Sequence, residues 1–222
     1  MSSVEYPMYS GNIMYPPRPK LSIPPEKLPD YENNGYVAQL KFNGTRTLVE
    51  IGPGSDIKLW TRKREAHKAY TLSDELKSEL TSIHEAGDVT KTLIFDAELM
   101  HNKTKGLKDT LIIFDLLVVD SDYLVGMSML ERYDVLCNIL GEPNTWEPET
   151  GRNIAIEVFK HVWLAQTFVF GFEREFKSRI DMDEIEGLVL KQSWAKLERG
   201  LSETNNDNWL VRCRKPNKNY SY

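Results

Sequence analysis

Tyr36-Val37-Ala38-Gln39-Leu40-Lys41-Phe42-Asn43-Gly44-Thr45-Arg46-Thr47-Leu48-Val49-Glu50-Ile51 is the stretch whose reading decides the fold. Two runs rich in strand-forming residues, Tyr36–Phe42 and Thr45–Ile51, flank Asn43-Gly44, a pair that favours a tight turn; they read as the two arms of a hairpin. The same turn brings Lys41 close to Arg46. A lysine amine attacks an electrophile only when deprotonated, a glycine lets a phosphate approach the backbone, and an arginine forks onto phosphate oxygens. Taken alone, the six residues from Lys41 to Arg46 read as a hairpin tip with surface charges on either side.

Working outward, Asp56–Arg62 reads as a third strand. Leu72, Leu76, Leu80 and Ile83 recur at helical spacing and predict an amphipathic helix over Leu72–Glu85. Strands follow at Thr92–Met100 and Asp109–Val119, the second apolar enough to be central. Ser128 and Glu131 make a capping box ahead of the stripe Leu130, Tyr133, Leu136 and Leu140, and Gly141 suits the helix exit. Asn153–Lys160 reads as a strand, Phe172–Ile180 as a short helix, and Glu186–Gln192 and Trp209–Arg214 as the last strands. Seven of the eleven prolines fall in the first thirty residues, so residues 1–35 are expected to be an extended, irregular, proline-rich arm before a domain at 36–222. Strands outnumber helices and short turns join many of them, which predicts an α+β fold with largely antiparallel sheets.

The chain has 222 residues, 41% of them hydrophobic and 27% charged, ordinary values for a soluble globular protein. No apolar run approaches the ~20 residues of a membrane helix, and the first residues lack a secretory pattern. Cys137 and Cys213 make neither a disulfide framework nor a metal knuckle. A cytoplasmic protein is expected. The four histidines are scattered without ligand spacing. The net charge of −5 weighs mildly against a nucleic-acid partner, but local cations matter more than the sum. Lys58, Arg62, Lys63, Arg64 and Lys68 form one basic stripe, and Arg212, Arg214, Lys215 and Lys218 another.

Four further segments carry candidate chemistry. In Phe95-Asp96-Ala97-Glu98-Leu99, alternation puts both acids on one face, where they can hold a ribose hydroxyl or a divalent metal, or simply face solvent. Asp115 interrupts an apolar run beside Phe114. A buried aspartate needs hydrogen bonds or a cation, and the phenyl ring either stacks on a purine or packs in the core. In Glu186-Gly187-Leu188-Val189-Leu190-Lys191, alternation puts Glu186 with Leu188 and Leu190 and sets Gly187 beside Val189 and Lys191, with the glycine leaving room for a ligand. In Trp209-Leu210-Val211-Arg212-Cys213-Arg214-Lys215, Arg212 and Arg214 point one way and suit phosphate, or mark a surface strand.

In this order, the five segments resemble the covalent nucleotidyltransferase superfamily of ATP- and NAD-dependent DNA ligases, RNA ligases and mRNA capping enzymes, over residues 36–216. The resemblance implies a nucleotidyltransferase fold, similar to ATP-grasp folds, of twisted sheets flanked by helices. It also implies a role for each matching residue. Lys41 takes AMP from ATP as a phosphoramidate, Arg46 closes its motif, and Gln39 helps read adenine. Thr61-Arg62 matches the segment whose arginine meets the nucleotide or the 5′-phosphate end. Glu98 contacts ribose, Phe114 stacks on the base, Glu186 is metal-associated and Lys191 contacts the α-phosphate. Magnesium is implied near Glu98 and Glu186, and Arg212 and Arg214 stand at the last motif.

Asn43 replaces the aspartate usual in DNA ligases, and arginines replace the lysines usual in the last motif. Arginine stays charged and does not donate a proton as a lysine can, so Lys191 or Lys215 is left to assist pyrophosphate departure. The Glu186–Lys191 and Phe114–Leu117 segments look more like ligases than capping enzymes, and the Tyr15–Lys20 stretch is similar to ligases carried by phages. A proline-rich arm does not supply a nicotinamide-binding domain, which implies ATP as cofactor, and seven residues after Lys215 leave no room for a C-terminal OB domain. The expectation is a monomeric ATP-dependent ligase acting on nicked double-stranded nucleic acid, DNA before RNA. A capping-type guanylyltransferase and a silent nucleic-acid-binding module are the alternatives.

Overall fold

A computed structural model describes residues 8–87, 89–141, 153–200 and 204–215, and arranges their strands in two sheets. The first sheet has the order β1 (Arg18–Ile23), β12 (Asn206–Arg214), β11 (Ile185–Gln192), β2 (Tyr36–Phe42) and β10 (Thr167–Phe168). The second runs β4 (Asp56–Thr61), β3 (Thr45–Gly52), β5 (Leu93–Met100), β6 (Thr110–Val119), β9 (Val162–Leu164) and β8 (Ile156–Glu157), with β7 (Asp122–Tyr123) also on β6. Among the named strands, the pairs β1–β12 and β6–β9 are parallel and the rest antiparallel. The expected α+β class with antiparallel sheets is the observed one.

The central difference from the hairpin expected at Asn43-Gly44 is that β2 and β3 do not pair with each other. β2 pairs with β11 and β10 in the first sheet, and β3 pairs with β4 and β5 in the second. The turn hands the chain from one sheet to the other. It is held from outside, by Asn43 N donating to Glu184 O at 2.8 Å and Asn43 Nδ2 to Asp183 O at 3.1 Å.

Helices cover the outer faces. Next to the first sheet, α1 (Leu28–Glu32) and α4 (Phe172–Arg179) close a core of Leu28, Ala38, Leu40, Phe42, Phe168, Phe172 and Leu188. Next to the second, α2 (Asp74–Ala86) and α3 (Met129–Leu140) bury Leu76, Leu80, Ile83, Tyr133 and Leu136 against Leu48, Phe95, Leu111 and Leu116. The capping box forms as expected: Ser128 Oγ accepts from Glu131 N, Glu131 Oε2 accepts from Ser128 N, and Gly141 ends α3 at φ 70°. Ser73 caps α2 by accepting from Leu76 N, so Leu72 lies before the helix. Both cysteines are buried.

Two further expectations fail. The strand read at Asn153–Lys160 shortens to β8, because Val158 N and Phe159 N both donate to Val162 O and fold the chain back onto β9. The proline-rich stretch is not irregular throughout: Arg18–Ile23 forms β1, parallel to β12, and Leu28–Glu32 is helical. Pro19 is tolerated there because β1 is the outermost strand of its sheet, where a missing N–H leaves no inner ladder incomplete. Residues 1–7 and Lys218 lie outside the described residues.

Candidate active site

Residues of the first sheet and the second together line a cleft, and Gly44 of the connecting turn lines its outer part. Alternation along β2 turns Ala38, Leu40 and Phe42 into the apolar core and Gln39 and Lys41 toward the cleft. From the second sheet come Arg46 on β3, Asp96 and Glu98 on β5, and Phe114 and Asp115 on β6. An inner cavity of about 120 Å³ is lined by these groups together with Val189, Lys191 and Leu210 from the first sheet and Pro17 and Pro19 from the N-terminal segment. It opens to an outer cleft of about 660 Å³.

Phe114 and Asp115 both reach the cavity because the β5–β6 register breaks between them: Asp96 faces Asp115, and Ala97 faces Ile113. Phe114 is the unpaired residue of this bulge; its ring keeps to the face of Ile112, which pairs with Glu98, and the bulge brings Asp115 to that face as well. Lys191 Nζ lies 5.3 Å and the Arg46 guanidinium 5.6 Å from the ring centroid. The Phe114 carbonyl accepts from Lys191 Nζ at 3.0 Å and from Gln39 Nε2 at 3.4 Å, and Gln39 Nε2 also donates to Thr167 Oγ1 at 2.9 Å. Asp115 is gripped from behind by Arg132 of α3, fully buried, whose Nε and Nη2 lie 2.9 and 2.8 Å from its two oxygens. Arg132 is the cation that a buried Asp115 requires.

A second bulge places Glu186. Ile185 pairs with Phe42 and Gly187 with Lys41, so Glu186 is the extra residue on β11. Instead of following Leu188 and Leu190 into the core, as alternation predicts, its carboxylate accepts from Lys41 Nζ and lies 3.3 Å from Arg214 Nη2. Gly187 sits at φ 144°, and a Cβ there would lie 1.9 Å from Cys213 O. Its missing side chain therefore makes room for β12, not for a ligand. On β3, Arg46 Nε donates to Asp96 Oδ1 at 2.9 Å and Nη2 to Oδ2.

Burial sets the protonation of two cavity groups. It pushes the Glu98 carboxyl up to about 7, against the pull of Lys41, Arg46 and Lys103. It lowers the Lys191 ammonium to about 8 although Asp115 favours the charge. Burial alone would raise Asp115, but the Arg132 and Lys191 cations hold it below the usual carboxylate range.

The outer cleft gathers Lys41, Arg46, Arg62, Lys63, Arg212 and Arg214 with Thr61, Glu98 and Glu186, all named by sequence, and adds Arg18 and Lys103. Lys103 Nζ donates to the Gly44 carbonyl and so pins the turn behind Lys41. Nothing in the sequence marks Lys103, and Arg18 lies in the Tyr15–Lys20 stretch noted only for its likeness to phage ligases; each reaches the cleft through chain geometry. Lys215 does not join: its ammonium donates to Ile180 O at 3.2 Å. The loop carrying Arg62 is moored farther along, where Tyr70 donates to Asp109, His67 and His101 pack edge-on to Tyr70, and His161 Nδ1 lies 2.8 Å from Asp109 O. Three of the four histidines are thus neighbours, not scattered.

No known family profile and no curated protein matches the sequence. Solved structures do. A mycobacterial DNA ligase D complexed with ATP and MES superposes with a TM-score of 0.61 at 14% identity, over 92% of this chain and 61% of that one. The ligase domain of LigD from M. tuberculosis gives 0.54 at 13%, over 90% and 59%. The ATP-dependent DNA ligase of bacteriophage T7 in complex with ATP gives 0.53 at 15%, over 91% and 69%. The chain has the nucleotidyltransferase fold of ATP-dependent DNA ligases and spans about 61% of the length of the first of these.

Proposed function

We propose that the protein is an ATP-dependent polynucleotide ligase that charges Lys41 with AMP. The observation that carries this reading is the position of Lys41 Nζ. It stands at the junction of an inner cavity with an aromatic face and an outer cleft rich in cations, hydrogen-bonded to Glu186. A purine beside Phe114, a ribose near Glu98 and a triphosphate running outward past Arg46, Arg62, Arg212 and Arg214 would set the α-phosphorus before that amine.

The amine gives up its proton, for which the Glu186 carboxylate is the adjacent acceptor, and its lone pair forms a bond to the α-phosphorus. The bond from that phosphorus to the β-phosphate oxygen breaks and pyrophosphate leaves. Lys191, whose ammonium burial weakens, takes the α-phosphate contact and offsets developing charge. A 5′-phosphate end then displaces the lysine and carries AMP away, and a 3′-hydroxyl attacks that 5′-phosphorus to seal the strand and release AMP. DNA is the favoured strand, since the three superposed structures are DNA ligases. The working unit is a monomer in the cytoplasm.

Magnesium fits this site in a limited way. Glu98 and Glu186 both border the outer cleft, while no cluster of three or more His, Cys, Asp or Glu able to hold a metal occurs among the described residues. Magnesium keeps several waters and takes one or two carboxylates plus substrate phosphates, which is the donor set available here. Bound, it would neutralise phosphate charge.

Incubation with α-labelled ATP and magnesium, followed by denaturation, is the test. Label on the wild type but not on Lys41→Ala supports the reading. No label, or equal label on both, overturns it. Preference for GTP moves the assignment to a capping-type guanylyltransferase, and nucleotide binding without label to a silent binding module. Sealing of nicks with DNA or RNA on each side decides the strand.

A further inference from the structure

The cavity has a wall that belongs to none of the five sequence motifs. Residues 8–23 run as a strap from the second sheet to the first. At its start, Met8 bridges to Asp122 and Tyr9 N donates to Ser121 O. In its middle, Tyr123 Oη accepts from Met14 N at 3.0 Å and donates to Asn12 O at 2.6 Å. Arg64 then clamps it: Nη1 donates to Ile13 O at 3.1 Å, Nη2 to Tyr15 Oη at 2.9 Å, and the guanidinium lies 3.7 Å from the Tyr15 ring centroid. Tyr15 N donates to Gly200 O, Asn205 Nδ2 to Tyr15 O, and Arg18 N to Asn205 O, after which β1 runs along β12.

So much anchoring on both sides of the cleft fixes three consecutive residues at its edge. Pro17 and Pro19 line the inner cavity, and Pro19 and Arg18 line the outer cleft. We infer that Pro17-Arg18-Pro19 is part of the nucleoside triphosphate site, the prolines walling the base and sugar and Arg18 binding the phosphates. The inference rests on the ATP reading above. The residue types suit the position. A proline wall offers apolar ring carbons with no N–H to leave unpaired against a base, and its fixed φ leaves little backbone freedom to lose when a ligand is bound. A guanidinium stays charged at any working pH and forks onto phosphate oxygens. Arg18 also stands with Arg212 and Arg214 of the neighbouring strand β12 on the same cleft.

The test uses the full chain and α,β-methylene-ATP, which binds as a triphosphate but has no α,β bridging oxygen to cleave, so that binding is read apart from lysine adenylation. Arg18→Ala should raise its Kd about tenfold, the loss of one charge-assisted contact, with Arg18→Lys recovering part of it and the melting temperature of both unchanged. Pro17→Ala/Pro19→Ala should raise Kd by a smaller factor. In adenylation assays with ATP, Arg18→Ala should shift the half-saturating concentration and leave the maximal rate nearly intact. Unchanged Kd in Arg18→Ala overturns the phosphate role, and unchanged Kd in the double variant overturns the wall. Tighter binding in the double variant also overturns it, because the strap would then obstruct the site. Absence of analogue binding by the wild type sinks the inference outright. Analogue binding without an adduct from ATP sinks only the ligase reading.

Discussion

Lys41 Nζ and the Glu186 carboxylate meet across the β2–β11 pair, and the same carboxylate lies 3.3 Å from Arg214 Nη2 on β12. One acid thereby holds the amine at the cavity mouth and keeps a cation of the outer cleft beside it. Such a shared carboxylate restricts the lysine to one direction, which a reaction at a fixed phosphorus requires.

Replacing Glu186 with Gln retains size and a hydrogen-bond acceptor but removes the charge that takes the proton. Label transfer from ATP in a single turnover should slow by on the order of a hundredfold or more, the range for loss of a positioned base. Analogue binding should change far less. A labelling rate equal to the wild type would remove Glu186 from the proton path.

Glu98 makes the site costly to fold at neutral pH. Its carboxyl, ordinarily at 4.5, is raised to about 7 in the folded chain by burial. The folded state therefore binds the proton more tightly; the stability this contributes is present below pH 4.5 and lost as pH rises through 7. Lys191 works in the other direction, since its lowered value near 8, against 10.5, makes stability fall as pH drops from 10.5 through 8. Both penalties coincide between about 7 and 8. Glu98→Gln should raise the melting temperature by several degrees at pH 7.5 and change it little at pH 5; an equal gain at both would mean the burial penalty is not ionic.

How much of this was legible beforehand depended on whether a residue obeyed strand alternation. Asp96 with Glu98, and Arg212 with Arg214, share the cleft as period two demands. The helix of Ser128, Glu131 and Gly141 forms as its caps dictate. Glu186 escapes alternation, and Asp115 joins Phe114 on one side of β6, because a bulge interrupts each strand, which a single sequence does not announce. The Asn43-Gly44 turn was readable as a turn, but not that its strands enter different sheets, since that choice is made by β11 and β5, distant in sequence. Arg18 and Lys103 depend on the same long-range assembly.

Gly187 tests the bulge directly. Its φ is 144°, and an alanine methyl at this position would come within 1.9 Å of Cys213 O, so Gly187→Ala must push β12 away or flatten the bulge. Either shift should lower stability by about 2–4 kcal/mol, the combined scale of backbone strain and overpacking. Urea unfolding measures it, and a midpoint within error of the wild type would show that β11 tolerates a side chain there.

The Asp115–Arg132 pair ties α3 to the strand that carries Phe114, and its members should not be removable singly. Arg132→Leu leaves a buried carboxylate with only the weaker pull of Lys191 to hold its charge, and breaking such a pair costs about 3–5 kcal/mol. Asp115→Leu leaves the guanidinium stranded at the same depth and should cost a similar amount. Asp115→Leu/Arg132→Leu removes both charges together, so it should lose less stability than the sum of the singles. Lys191 supplies the functional readout. Without Asp115 it loses the stronger of the two acids that oppose burial, whereas Arg132 pushes the same way as burial, so the pH at which label transfer is half-lost should move downward in Asp115→Leu and by less in the double variant. Urea unfolding of the four proteins and the pH profile of labelling check the two halves separately. Additive stabilities would show that the two side chains do not act as a pair, and an unmoved profile would separate Asp115 from Lys191.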